Sequence, residues 1–125
     1  MEYPSALPML PVGYPLMMLH PEAWRILQAV LDAIERAEPI PMNPATPYGG
    51  DIDGYWVQFE GEDDLLHCLV RRQDGSPITL EEANRVVEPF FGVMPKGLVW
   101  CKPAERSVHY YVGHDHFLQA HRPSK

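Results

Sequence analysis

The chain has 125 residues, of which 46% are hydrophobic, and a formal net charge of −7 at pH 7. That length is typical of one domain, and the apolar fraction suffices for an ordinary hydrophobic core. The acidic charge argues against nucleic acid as the main partner, because such binding neutralises phosphates with Lys and Arg. It fits either a solvated acidic surface that keeps the protein soluble, which is the commoner case, or a basic protein partner.

Residues 1–19 are predicted to form a proline-rich, apolar arm. Prolines disfavour a helix and interrupt the apolar stretch that a secretion signal or a membrane span would need. The four prolines are Pro4, Pro8, Pro11 and Pro15. The Met and Leu side chains between them favour contact with the chain's own core or with a second chain. We therefore expect a cytoplasmic protein without membrane association, in which residues 20–118 form one domain and residues 119–125 a short tail.

Two helices are predicted from their start signals and their apolar spacing. The first begins at Pro21, since proline suits the first helical position, and ends before Pro39. The second follows Thr79, because Thr79 and Glu82 have the spacing of a capping box, and it ends at Gly92. Each helix carries an apolar stripe that must pack against a core.

Four strand-like runs are predicted to form two hairpins. The first hairpin joins residues 55–60 to residues 65–72, and the second joins residues 98–102 to residues 107–112. Residues 39–54 between the first helix and the first hairpin are expected to be a loop. The order α-β-β-α-β-β predicts an α+β two-layer sandwich, with two helices packed on one face of a four-stranded, mostly antiparallel sheet.

Pairing each hairpin through a four-residue turn predicts which strand residues face the helices. The expected core pairs are Val57 with Cys68, Phe59 with Leu66, Val99 with Tyr110, and Cys101 with Val108. Both cysteines are then buried and reduced, as is usual in the cytosol. A disulfide between them would require that their strands be neighbours.

The opposite face of the sheet is predicted to be a binding surface, because it carries aromatic and imidazole side chains instead of plainly polar ones. Trp and Tyr often contribute most of the binding energy at interfaces. Two interpretations fit the acidic turn of the first hairpin: it steers a basic partner, or it is a hydrophilic turn that keeps the sheet soluble. Three candidates remain for what shields this face from solvent: the arm, a second copy in a homodimer, or a different partner. The candidate residues are Trp56, Gln58, His67, Trp100, His109 and Tyr111 on the face, and Glu62, Asp63 and Asp64 in the turn.

The histidines near the C-terminus suggest an alternative function. On an extended strand, His114 and His116 would share a face about 7 Å apart and could chelate zinc, with His109 or His67 as a further ligand. Nucleophilic catalysis is not favoured, because His67 and Cys68 are adjacent and point to opposite faces of a strand. We therefore expect a non-catalytic interaction protein, such as an inhibitor or regulator, without a cofactor. A metal-binding protein or metal-dependent enzyme is the alternative.

Overall fold

The computed structural model describes residues 20–123, so the predicted arm at residues 1–19 lies outside the described residues. The helices are α1 (Pro21–Glu35), α2 (Leu80–Phe91) and α3 (His114–His121), and the strands are β1 (Gly49–Ile52), β2 (Tyr55–Glu62), β3 (Leu65–Arg72), β4 (Trp100–Pro103) and β5 (Val108–Gly113). The strands form an antiparallel sheet in the order β1-β2-β3-β5-β4. The α+β class is confirmed, although the described residues contain five strands where four were predicted. None of the helices in this part of the chain combines the length and the apolar character needed to cross a membrane.

Strand β1 lies in the stretch that was predicted to be a loop. It is joined to β2 by Asp53 and Gly54, whose φ angles are both positive, at 53° and 88°. A two-residue hairpin turn of this kind needs such angles, and Asp-Gly is one of its usual sequences. Ile52, the last residue of β1, is buried. The prediction of a loop was therefore wrong for residues 49–52, which form an additional strand at one edge of the sheet.

Both predicted hairpins form, but each register differs from the prediction by two residues. Val57 lies opposite Val70 and not Cys68, and Cys101 lies opposite Tyr110. In the first hairpin only Asp63 and Asp64 separate the paired strands, instead of the predicted four residues. In the second hairpin four residues separate the paired strands, but this turn begins one residue later than predicted. Side chains alternate along a strand with a period of two, so this shift leaves every residue on its predicted face.

Helices α1 and α2 bury their apolar stripes in the same core as the sheet. Ile26 and Val30 of α1 and Phe90 of α2 are fully buried. Phe59 of β2 lies at the centre of this core, with its ring centroid 5.1 Å from that of Phe90. This packing leaves the other face of the sheet for the candidate site.

Helix α3 was not predicted, since residues 114–121 were taken as strand-like histidines and the start of a tail. Phe117 of α3 is fully buried, and its ring centroid is 6.0 Å from that of Phe59. Arg122, just after the helix, donates to Asp32 at 3.0 Å and to Gln28 at 2.6 Å, both on α1. The C-terminal segment is thereby attached to the helical layer.

Candidate partner-binding surface

The face of the sheet opposite the helices carries the aromatic and imidazole side chains that the sequence predicted for it. Its residues alternate with core residues such as Val57, Cys68 and Val108, which are fully buried. We call this surface the aromatic face. Its members are Trp56, Gln58, Leu65, His67, Leu69, Trp100, Lys102, His109 and Tyr111.

Three rings form a row across the aromatic face. Trp100 of β4 lies opposite Tyr111 of β5, which lies opposite His67 of β3. The His67 and Tyr111 rings stack, with centroids 4.8 Å apart and planes 10° apart. Trp100 is 72% exposed, more than any other large hydrophobic side chain within residues 20–123. The row therefore ends in an accessible indole at the edge of the sheet.

A chain of hydrogen-bonding groups orients the two imidazoles of this face. Nδ1 of His67 lies 3.2 Å from the Glu60 carboxylate, and its Nε2 lies 2.7 Å from Nδ1 of His109. Nε2 of His109 lies 3.2 Å from the Ser107 hydroxyl. Burial, and then the neighbouring His67 and Lys102, lower the pKa of His109. Since one nitrogen of the imidazole pair must accept, the contact cannot survive protonation of both rings.

Gln58 differs from the prediction because its side chain is inaccessible. It is only 2% exposed, and its Nε2 donates to the Phe59 carbonyl at 3.3 Å. Its Oε1 accepts a hydrogen bond from the half-buried Trp56 indole at 3.2 Å. A Cβ atom on Gly49 would lie 2.2 Å from this Oε1, so glycine at position 49 lets the Gln58 side chain keep its place. Gln58 therefore supports the face from below through Trp56, and its side chain is not accessible to a partner.

The acidic turn is exposed and lies at one end of the aromatic face. Glu62, Asp63 and Asp64 are all exposed, and so is Leu65, which follows them at 39%. The Asp64 carbonyl accepts a hydrogen bond of 2.9 Å from the backbone N–H of His114. The turn is thus attached to the start of α3.

His114 and His116 do not have the strand geometry on which the zinc site was based. Both lie in the first turn of α3, where side chains two positions apart point about 200° apart around the helix axis. Nε2 of His114 is buried without a hydrogen-bond partner in the described part of the chain, whereas His116 is exposed. Within residues 20–123, no group of three His, Cys, Asp or Glu side chains is placed to share a metal ion. The metal-binding alternative stays a prediction, and the described residues do not have the ligand arrangement that it needs.

The two cysteines differ in accessibility. Cys68 is fully buried, as predicted, and burial raises the pKa of its thiol well above the usual range. Cys101 is exposed, contrary to the prediction, because all four residues of the edge strand β4 are exposed. Both are free thiols. The sequence Lys102-Pro103 could have indicated this position, since lysine and proline are typical of edge strands.

The Cys101 side chain lines a groove of about 610 Å³ between β4 and α2.

Comparison with protein-family models, with curated proteins and with solved structures finds no match for this chain.

Proposed function

We propose that this chain is a small non-catalytic interaction domain that binds a protein partner through its aromatic face, with the acidic turn steering a basic partner toward it. Such a domain would act as an inhibitor or regulator by occupying a surface of its partner. The observation that carries the proposal is the 72% exposure of Trp100 at the edge of this face. A large indole exposed among other rings is typical of interfaces and of their energetically dominant residues.

The row of Trp100, Tyr111 and His67 is suited to binding because two of its rings are already ordered. The His67 ring is stacked on Tyr111 and lies within hydrogen-bonding distance of both Glu60 and His109. Side chains that are held before binding lose little rotamer freedom when a partner arrives. The row therefore offers apolar area at low entropic cost.

The acidic turn supports a basic partner. Its three carboxylates are exposed beside Leu65, and the whole chain has a net charge of −7. Exposed charges of this kind accelerate encounter with an oppositely charged protein, and salt weakens the effect. We expect the turn to influence mainly the association rate and the aromatic row mainly the dissociation rate.

The proposal is tested by comparing the wild-type chain with Trp100→Ala. Proteins captured from a cell lysate by the immobilised wild-type chain are identified, and the candidate partner is then purified for binding measurements. We expect Trp100→Ala to weaken its affinity about thirtyfold or more, as for a residue worth about 2 kcal/mol. Trp24→Ala, on α1 and away from the aromatic face, is the matched control, and circular dichroism verifies that both variants fold.

The contribution of the turn is tested with the double variant Asp63→Asn and Asp64→Asn. Asn can adopt the positive φ of 56° found at Asp63, so the turn is retained while two charges are removed. We expect this double variant to associate with the partner more slowly, and its association rate to depend less on salt.

Equal affinity of Trp100→Ala and the wild-type chain for the partner would refute the proposed surface.

A further inference from the structure

Strand β4 is an edge strand whose outward backbone groups can be identified. Among the described residues it pairs with β5 alone. The Ala104 N–H donates to the Ser107 carbonyl at 2.8 Å, which makes these two residues a hydrogen-bonded pair. Hydrogen-bonded and non-hydrogen-bonded pairs alternate along an antiparallel ladder. The N–H and C=O of Cys101, and the C=O of Pro103, therefore point away from β5 toward solvent.

We infer that β4 pairs antiparallel with the β4 of a second copy of this chain, about a twofold axis at Cys101. At this register each Cys101 donates its N–H to the carbonyl of the other Cys101, because both groups already point outward. Each copy contributes the same surface, as a twofold interface requires. The two five-stranded sheets then form one continuous sheet.

The side chains favour this register. With Cys101 on the axis, the Trp100 ring of one copy lies opposite the Lys102 ammonium of the other, and the pair occurs twice. An ammonium placed against an indole is attracted by its π-electrons. A register centred on Lys102 would instead place two ammonium groups directly opposite each other. It would also pair Cys101 with Pro103, which has no N–H to donate.

A second copy fits this edge because the edge is complementary to itself in backbone hydrogen bonding and in the pairing of an ammonium with an indole. An unpaired edge is a template for another strand unless charge or proline prevents the pairing. Here Lys102 finds an aromatic ring in the second copy, and Pro103 lies outside the central pair. The pairing goes beyond the proposed function, since it uses the backbone edge and places the aromatic faces of both copies side by side.

Thiol cross-linking tests the predicted contact. In a hydrogen-bonded antiparallel pair the two Cα atoms lie about 5.5 Å apart, a separation that a disulfide can span. Cys101 is exposed and Cys68 is fully buried, so Cys101 is the thiol that can react. We expect mild oxidation of the full chain to produce a covalent dimer of twice the 14.3 kDa chain mass. Cys101→Ser abolishes this product, whereas Cys68→Ala keeps it.

Solution mass under reducing conditions provides the second test. Light scattering on a size-exclusion column should report a dimer for the wild-type chain. Cys101→Asp and Cys101→Lys each place like charges across the axis, so each alone should be a monomer. Their equimolar mixture should recover the dimer, because opposite charges then face each other.

Two results would overturn the inference: a monomeric wild-type chain, or a dimer that neither charged variant dissociates. The proposed function is judged separately in the Cys101→Asp background, by comparing the partner affinity of Cys101→Asp with that of the double variant Cys101→Asp and Trp100→Ala, since both are expected to be monomers. A monomeric Cys101→Asp that still binds the partner would support both statements.

Discussion

His121, in helix α3, is a half-buried residue whose imidazole contacts the core. Its ring centroid is 4.9 Å from that of Phe117, and its Nε2 donates to the Phe90 carbonyl at 2.7 Å. Burial lowers its pKa to about 4, and the charge of Arg122 acts in the same direction. The charged form is disfavoured because it would lose most of its hydration.

We expect the free energy of unfolding to decrease as the pH falls from about 6.5 to about 4. An unfolded histidine has a pKa near 6.5, so the unfolded state takes up the proton first and gains stability relative to the folded state. The full difference corresponds to about 3 kcal/mol, of which about 2 kcal/mol is lost by pH 5. Urea unfolding at pH 7 and at pH 5 measures it.

His121→Gln and His116→Gln are the matched variants for this prediction. His121→Gln keeps an N–H donor but cannot ionise, so we expect it to reduce the pH dependence of stability to the smaller part that His109, whose pKa is also lowered, contributes. His116 is exposed in the same helix, and its replacement should leave the dependence unchanged. An unaltered slope in His121→Gln would show that another group is responsible.

The N-terminus of α2 shows how one element is joined to the sheet. The Thr79 hydroxyl accepts from the Glu82 N–H at 3.1 Å, and the Glu82 carboxylate accepts from the Thr79 N–H at 3.0 Å. The same carboxylate accepts from the Tyr55 hydroxyl at 2.8 Å and pairs with Arg72. The capping box predicted from the sequence is therefore confirmed, and it also connects the helix to β2 and β3.

Replacing the capping hydroxyl is expected to destabilise the domain. Thr79→Ala removes the acceptor for the Glu82 N–H and should lower the free energy of unfolding by about 1 kcal/mol. Thr79→Ser keeps the hydroxyl and should stay within a few tenths of a kcal/mol of the wild-type chain. Urea denaturation of the three proteins provides the comparison. Equal losses for Ala and Ser would mean that the methyl group, and not the cap, stabilises this site.

Strand β1 and helix α3 were not predicted from the sequence, although a local signal for β1 was present. Asp53-Gly54 is a strong hairpin signal and marks the turn between β1 and β2. Its first strand has only four residues, Gly49–Ile52, and begins with two glycines, which weakened the strand pattern. Helix α3 has only eight residues and a modest apolar stripe, so its existence depends on Phe117 entering the core.

At the scale of the whole molecule, the two faces of the sheet have different energetic roles. Phe59 is fully buried, with ring centroids of Phe90, Phe91 and Phe117 within 6.3 Å. Trp100 is a larger aromatic residue in the same sheet, but it is 72% exposed. The helices thus stabilise the fold through one face of the sheet, and Trp100 lies on the other.

Alanine substitutions can measure this difference. We expect Phe59→Ala to lower the free energy of unfolding by about 3–5 kcal/mol, because it leaves a cavity in the core. Trp100→Ala should change it by less than about 0.5 kcal/mol, as is usual for surface positions. Thermal or urea unfolding of both variants tests the assignment. A large loss of stability in Trp100→Ala would show that the aromatic face belongs to the core.

The sequence by itself determined the two long helices and the face on which the residues of the two predicted hairpins lie, because both depend on local periodicity and on end signals that neighbouring residues provide. Only the tertiary structure decided that Gln58 is buried, that Cys101 is exposed, and that His67 and His109 approach to 2.7 Å across 42 residues of sequence. These outcomes depend on strand order and turn length. Gln58 is buried where β1 pairs with β2, whereas the other two outcomes arise because β5 inserts between β3 and β4. Both arrangements are set by contacts between different segments and not by any local pattern.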